Sequence, residues 1–159
     1  MYDNYATDWC KWTLMAIRSL CNRYSSFSGW NLMLDETGGP NVGPFYCGGL
    51  GTRNYTDGSL SYSGQYKAFK HFSKLNRESV VHPLKFDRSE RKMFGFPNNP
   101  QIFTEGCIIK NTAEDVLVLS NPSKEKEQLQ FFYDNKWWYI EMLPNTAATV
   151  VFENNAMCL

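Results

Sequence analysis

Asp35 and Glu36 stand side by side, and adjacent acidic residues are a first place to look for acid–base work. Cleaving a glycosidic bond with retention needs two carboxyl groups about 5 to 5.5 Å apart on either side of the scissile bond. Neighbours on an extended segment point to opposite faces, so these two cannot oppose each other across a sugar without a special turn. They read as loop and capping residues. Other mechanisms lack their parts: there is no GxSxG, no Walker loop and no HExxH, and His71 and His82 are the only imidazoles. His71 falls on an amphipathic helical pattern and reads as a packing or capping histidine. The five cysteines, Cys10, Cys21, Cys47, Cys107 and Cys158, are scattered without a CxxC pair, so no metal or other cofactor is expected. An odd set implies at least one free thiol and leaves the pairing and the redox compartment open.

Trp30-Asn31 is more informative. An indole face binds the apolar C–H side of a pyranose, and an amide beside it hydrogen-bonds hydroxyls. A core Trp beside a strand-end Asn would explain the same pair.

The elements that position these residues follow from periodicity. Thr7 to Tyr24 reads as a helix, with Thr7 or Asp8 as N-cap and an apolar stripe of Trp9, Trp12, Ala16 and Leu20 backed by Met15 and Ile17. Phe27 to Leu34 reads as a buried strand, and the Gly- and Pro-rich stretch from Gly38 to Gly58 as a long irregular loop. Ser63 to Leu75 reads as a second helix, with Tyr66, Phe69, Phe72 and Leu75 inward and Lys67, Lys70 and Lys74 outward. The period then changes to two. Val80–Phe86, Ile102–Ile109, Val116–Leu119, Gln128–Tyr133, Trp137–Met142 and Thr146–Phe152 predict six short strands of an antiparallel sandwich, with Asp134-Asn135 as a hairpin turn. In such an alternation only one of Trp137 and Trp138 faces the core. The boundary between the α/β piece and the all-β piece falls near Asn76.

Composition narrows the partners. Sixteen basic residues balance sixteen acidic ones, and no five like charges gather, so neither a nucleic acid nor an anionic membrane is expected. No 18 apolar residues run together to span a membrane, and Met1 to Asp8 carries acidic residues where a secretory signal places Lys or Arg. Length permits a domain that buries roughly 70% of its unfolded surface, but a complete (β/α)8 barrel takes about 250 residues.

Three ordered segments carry a resemblance: Gly29-Trp-Asn-Leu-Met-Leu-Asp-Glu-Thr-Gly-Gly-Pro-Asn41, Gly43-Pro-Phe-Tyr-Cys-Gly-Gly49 and Ser63-Gly-Gln-Tyr-Lys-Ala-Phe-Lys-His-Phe-Ser-Lys74. Together they resemble glycoside hydrolase family 30, the glucosylceramidase-like enzymes. The resemblance implies a mainly β chain with two helices, in which residues 1–76 are the last α/β unit of a (β/α)8 barrel and residues 77–159 an antiparallel β-sandwich. It implies the C-terminal portion of a retaining β-glycosidase, lysosomal or secreted, acting on glucosylceramide or a related carbohydrate or glycolipid. Both catalytic glutamates would belong to barrel strands before Met1, so the chain itself would hold no catalytic residue and would need the missing N-terminal barrel portion. Trp30 matches the aromatic that contacts the sugar, Asn31 its strand-end neighbour, and Phe45 and Tyr46 the loop at the substrate entrance. The form Gly43-Pro-Phe-Tyr-Cys-Gly-Gly49 departs from the glucosylceramidase loop and keeps other members open, such as endo-β-1,6-glucanases and galactanases. A non-catalytic carbohydrate-binding or interaction fragment is the alternative from another class. Asn54-Tyr-Thr56 is an acceptable N-glycosylation sequon.

Overall fold

The computed structural model describes residues 8–40, 48–86 and 103–153. They form a mainly β protein with two helices, α1 (Trp9–Cys21) and α2 (Gly64–Lys70). Nine strands follow in chain order: β1 (Met33–Asp35), β2 (Gly51–Arg53), β3 (Leu60–Tyr62), β4 (Val80–Pro83), β5 (Glu105–Lys110), β6 (Glu114–Asn121), β7 (Glu127–Tyr133), β8 (Lys136–Met142) and β9 (Thr146–Glu153).

The all-β half is built in layers around β6. The order β4-β5-β6-β9 makes an antiparallel four-stranded sheet, and β7-β8 forms a separate hairpin. Because side chains alternate, Val116 and Val118 of β6 face one way and Leu117 and Leu119 the other. Val116 and Val118 join Cys107 and Ile109 of β5 and Ile17 of α1, with Cys21, Phe72 and Leu75 packed against them. Leu117 and Leu119 join Met142, Leu129, Phe131 and Ile140 of the hairpin and Val150 and Phe152 of β9. The sheet is thus covered by α1 and the turn after α2 on one face and by the hairpin on the other, which is why β6 reads as an unbroken apolar run. Asn121 closes β6: its buried amide donates to the carbonyls of Glu125 and Leu143 at 2.8 and 3.0 Å, holding the next turn and the end of β8 together.

The six expected strands of this half are present as β4 to β9, although β4 stops at Pro83 and Ile102 lies outside the described residues. Asp134 and Asn135 have φ of 50° and 57°, the left-handed pair that a tight hairpin turn requires.

The N-terminal half departs more from expectation. Helix α1 buries Cys10, Thr13, Leu14, Ala16 and Ile17 and leaves Met15 exposed, so its core stripe is rotated from the predicted one. The aromatic positions Trp9 and Trp12 lie at its margin, where the indole N–H of Trp12 reaches the Asp8 carboxylate at 2.9 Å. The helix ends in a Schellman arrangement: Tyr24 N–H donates to the Ser19 carbonyl and Arg23 N–H to that of Leu20, with Arg23 left-handed at φ 66°. Of the expected strand Phe27–Leu34, pairing begins only at Met33, because Asn31 has φ 61° and a left-handed residue breaks an extended ladder. The stretch from Gly38 to Gly58 is not wholly irregular, since it contains β2, which pairs parallel with β1 and antiparallel with β3. Helix α2 is shorter than expected and buries Gly64, Gln65 and Ala68, while Phe72 and Leu75 leave the helix to reach the sheet core. Ser63 caps it, its hydroxyl accepting from Tyr66 N–H at 3.1 Å.

Candidate functional site

The expected sugar-contacting pair sits where the chain enters β1. Gly29 lies so close to α2 that a Cβ there would come 2.7 Å from Gln65 Nε2 and 2.8 Å from the Phe69 ring. Phe27 packs edge-on against the same Phe69 ring at 5.5 Å. This anchorage ends the segment and turns the next side chain outward, leaving Trp30 80% exposed in this chain. The left-handed Asn31 then redirects the backbone, and its carbonyl accepts from Leu50 N–H at 3.0 Å, tying the Trp30-Asn31 corner to the strand that follows.

The acidic pair is occupied with backbone. Asp35 Oδ1 accepts from Thr37 N–H at 2.9 Å, from the Thr37 hydroxyl at 2.7 Å and from Gly39 N–H at 2.7 Å. The Thr37 hydroxyl, followed by Gly39 N–H, holds the Asp35 carboxyl below its ordinary value. A carboxylate committed to three donors shapes the loop and is poorly placed for proton transfer. Glu36 Oε2 accepts from Tyr55 N–H at 3.0 Å, on a different side of the loop. The two acids therefore serve loop structure, as their adjacency predicts.

Leu32 (75% exposed) and Met33, which follow Trp30 in the chain, are also open, as are Leu60 and Tyr62 of β3, and β1 is an edge strand of its sheet. An aromatic with polar backbone behind it and apolar surface beside it can stack on a ring and cannot by itself cleave a bond. Phe45 and Tyr46, the other two expected contacts, lie outside the described residues. Asn54 is half-buried and its side-chain oxygen accepts from Thr56 N–H at 2.8 Å, so the sequon adopts an Asx turn. No three His, Cys, Asp or Glu side chains gather as a metal site among the described residues, and none of their helices is long and apolar enough to cross a membrane.

Sequence reasoning missed a cleft of about 320 Å³ between the end of α1 and β4–β5. Its polar wall is the Arg18–Glu105 pair, Nε to Oε2 at 3.0 Å and Nη2 to Oε1 at 2.6 Å, in which each charge neutralises the other. No sequence signal joins these residues, because they stand 87 positions apart.

No family model and no curated protein matches the sequence. Solved structures do match the fold. SrfJ from Salmonella typhimurium superposes with a TM-score of 0.74 at 19% identity, over 98% of this chain and 33% of SrfJ. The endo-β1,6-glucanase BT3312 superposes with a TM-score of 0.59 at 18% identity, over 79% of this chain and 26% of that enzyme. At these identities the likeness is one of fold, and the chain spans between about a quarter and a third of the length of these structures.

Proposed function

We propose that this chain is the C-terminal portion of a retaining β-glycosidase resembling the glucosylceramidase family, with residues 1–76 completing a (β/α)8 barrel and residues 77–159 forming its β-sandwich. The observation that carries the reading is Trp30, an exposed indole at a strand end in the segment that resembles a sugar-contacting motif. The fold shared with an endo-β1,6-glucanase supports it, as does the open apolar surface beside Trp30, which suits a surface that further barrel strands would cover.

In this reading Trp30 stacks on the sugar next to the cleaved bond and Asn31 hydrogen-bonds it, while Phe45 and Tyr46 line the entrance. The two carboxylates that retaining hydrolysis needs come from strands outside these 159 residues. Asp35 and Glu36, fixed by backbone N–H groups, are not among them. The ligand is glucosylceramide or a related β-glycoside. A β-1,6-glucan is a second candidate, favoured by the likeness to BT3312.

The test is release of 4-methylumbelliferone from its β-glucoside, by residues 1–159 alone and by the full-length parent. Turnover by the parent and silence from the isolated chain are expected. Hydrolysis by the isolated chain would overturn the assignment of the carboxylates to other strands, and an inactive parent would overturn the glycosidase.

A further inference from the structure

The outer face of the β7–β8 hairpin carries a second set of aromatic and amide side chains that the barrel reading does not use. In the hairpin register Phe132 pairs with Trp137, Gln130 with Tyr139 and Gln128 with Glu141. These six share the face that points away from the core, since Leu129, Phe131 and Ile140 take the inner one. Trp138 resolves the tandem tryptophans: its ring packs edge-on against Phe152 at 5.2 Å and its indole N–H donates to the Tyr133 carbonyl. Trp137 is left on the outside at 61% exposure, with Tyr139 at 75% and Phe132 at 57%.

The rings are held in place. Phe132 meets Trp137 edge to face at 5.3 Å, and Gln130 Nε2 donates to the Tyr139 hydroxyl at 3.1 Å. Trp137 and Tyr139 stand two residues apart on one strand, about 7 Å along it, so their rings project side by side from the same face. Gln128 and Gln130 offer both donors and acceptors alongside. Glu141 is ion-paired to Lys126 at 2.6 Å, so the face carries no net charge and offers nothing to a phosphate or an anionic bilayer.

Shape selects the occupant further. Two strands of seven residues make a ribbon about 24 Å long and 10 Å wide, a shape that fits an extended chain of rings. A narrow, neutral, elongated ligand with apolar ring faces and hydroxyl edges meets all of these features.

We propose that the outer face of the β7–β8 hairpin is a glycan-binding platform, on which Trp137 and Tyr139 stack on sugar rings of a neutral β-glucan while Gln128, Gln130 and Glu141 hydrogen-bond its hydroxyls. The platform is separate from the Trp30 corner and holds polysaccharide without cleaving it.

The test is retardation of the full-length protein in native gels containing laminarin or pustulan. Trp137→Ala and Tyr139→Ala each weaken retardation about tenfold, the loss of one stacked ring. Trp137→Phe keeps most of it. Hydrolysis of 4-methylumbelliferyl β-glucoside is unchanged in all three, which separates the platform from the proposed catalytic site. Retardation lost in Trp137→Ala and kept in Trp137→Phe, with hydrolysis of the glucoside unchanged in both, supports the platform. Binding with no hydrolysis would remove the glycosidase reading and leave the platform standing. Equal retardation of the Trp137→Ala/Tyr139→Ala protein, no retardation of the wild type in either glucan, or a dimer that Trp137→Ala dissociates in sedimentation would each overturn it.

Discussion

His71 Nδ1 lies 2.7 Å from the hydroxyl of Thr149, so the end of α2 is joined directly to β9 across 78 residues of sequence. Burial first, and the Lys70 charge second, hold the imidazole below its ordinary pKa. The unfolded chain therefore takes up the proton before the folded one does. Stability from this group is present above about 6.5, the ordinary histidine value, and is lost as pH falls through the lower folded value. The expected outcome is a melting temperature that drops between pH 7.5 and pH 5 by more in the wild type than in His71→Gln, which keeps a polar partner and does not titrate. A difference between the two proteins that stays constant with pH would refute the linkage.

Cys107 titrates the other way. Burial pushes its thiol up to about 12, with Cys21 beside it adding to the shift. A raised folded value means that the stabilising contribution is complete below the ordinary thiol value of about 9 and is lost as pH rises toward 12. At pH 8 the group is a neutral thiol inside the sheet core and not a nucleophile. Iodoacetamide is expected to leave Cys107 unmodified in the folded protein and to label it in 6 M guanidinium, as read by peptide mass spectrometry. Labelling at equal rates in both states would show that the core is not closed over it.

Gly64 sets two effects against each other. Alanine in place of glycine is worth about 1 kcal/mol in an open helix interior and less at the first helical position, which Gly64 holds after the Ser63 cap. Here a Cβ would meet Asp8 Oδ1, and would lie 2.7 Å from the backbone nitrogen of Trp9 and 2.8 Å from that of Asp8. Two of the three neighbours are backbone, so α1 would have to move off α2. Overpacking of this kind costs about 1 to 3 kcal/mol and wins. Gly64→Ala should lower the urea midpoint, whereas Gly58→Ala, in open space but at φ 73°, should cost about 1 kcal/mol from backbone strain alone.

These positions also show where sequence was informative. The strands β4 to β9 were legible because each alternates or runs apolar between polar turns, and Asp134-Asn135 named its own turn. The α1 stripe was right at Ala16 and Ile17 and misplaced at Trp9 and Trp12, which look like core residues, whereas the rest of the buried face is Cys10, Thr13 and Leu14, two of them small or polar. Cys10 is there because its Sγ lies 3.0 Å from the Ser120 hydroxyl, a contact 110 residues distant that no local pattern encodes. At the candidate site the Trp30-Asn31 pair could be picked out by type, but its geometry could not, since the exposure of Trp30 depends on Gly29 fitting against Gln65 and Phe69. The second aromatic face was half legible: alternation said that one of Trp137 and Trp138 must point outward, and Phe152 decided which.

Trp30 and Asn31 can be separated by substitution in the full-length protein. Trp30 is exposed in residues 1–159, so within that chain Trp30→Ala should leave the unfolding free energy within about 0.5 kcal/mol. Loss of a ring stacked on sugar should lower kcat/KM for 4-methylumbelliferyl β-glucoside about tenfold. Asn31 needs a different replacement, because its φ of 61° would strain any β-branched residue. Asn31→Gly adopts that backbone freely and deletes only the amide, so a fall in kcat/KM reports the amide's contact with substrate and not a displaced strand. If Trp30→Ala and Asn31→Gly both retain full kcat/KM, the corner before β1 takes no part in binding the sugar. If either loses activity together with stability, the corner acts by holding β1 against β2, and the direct contact proposed for it is wrong.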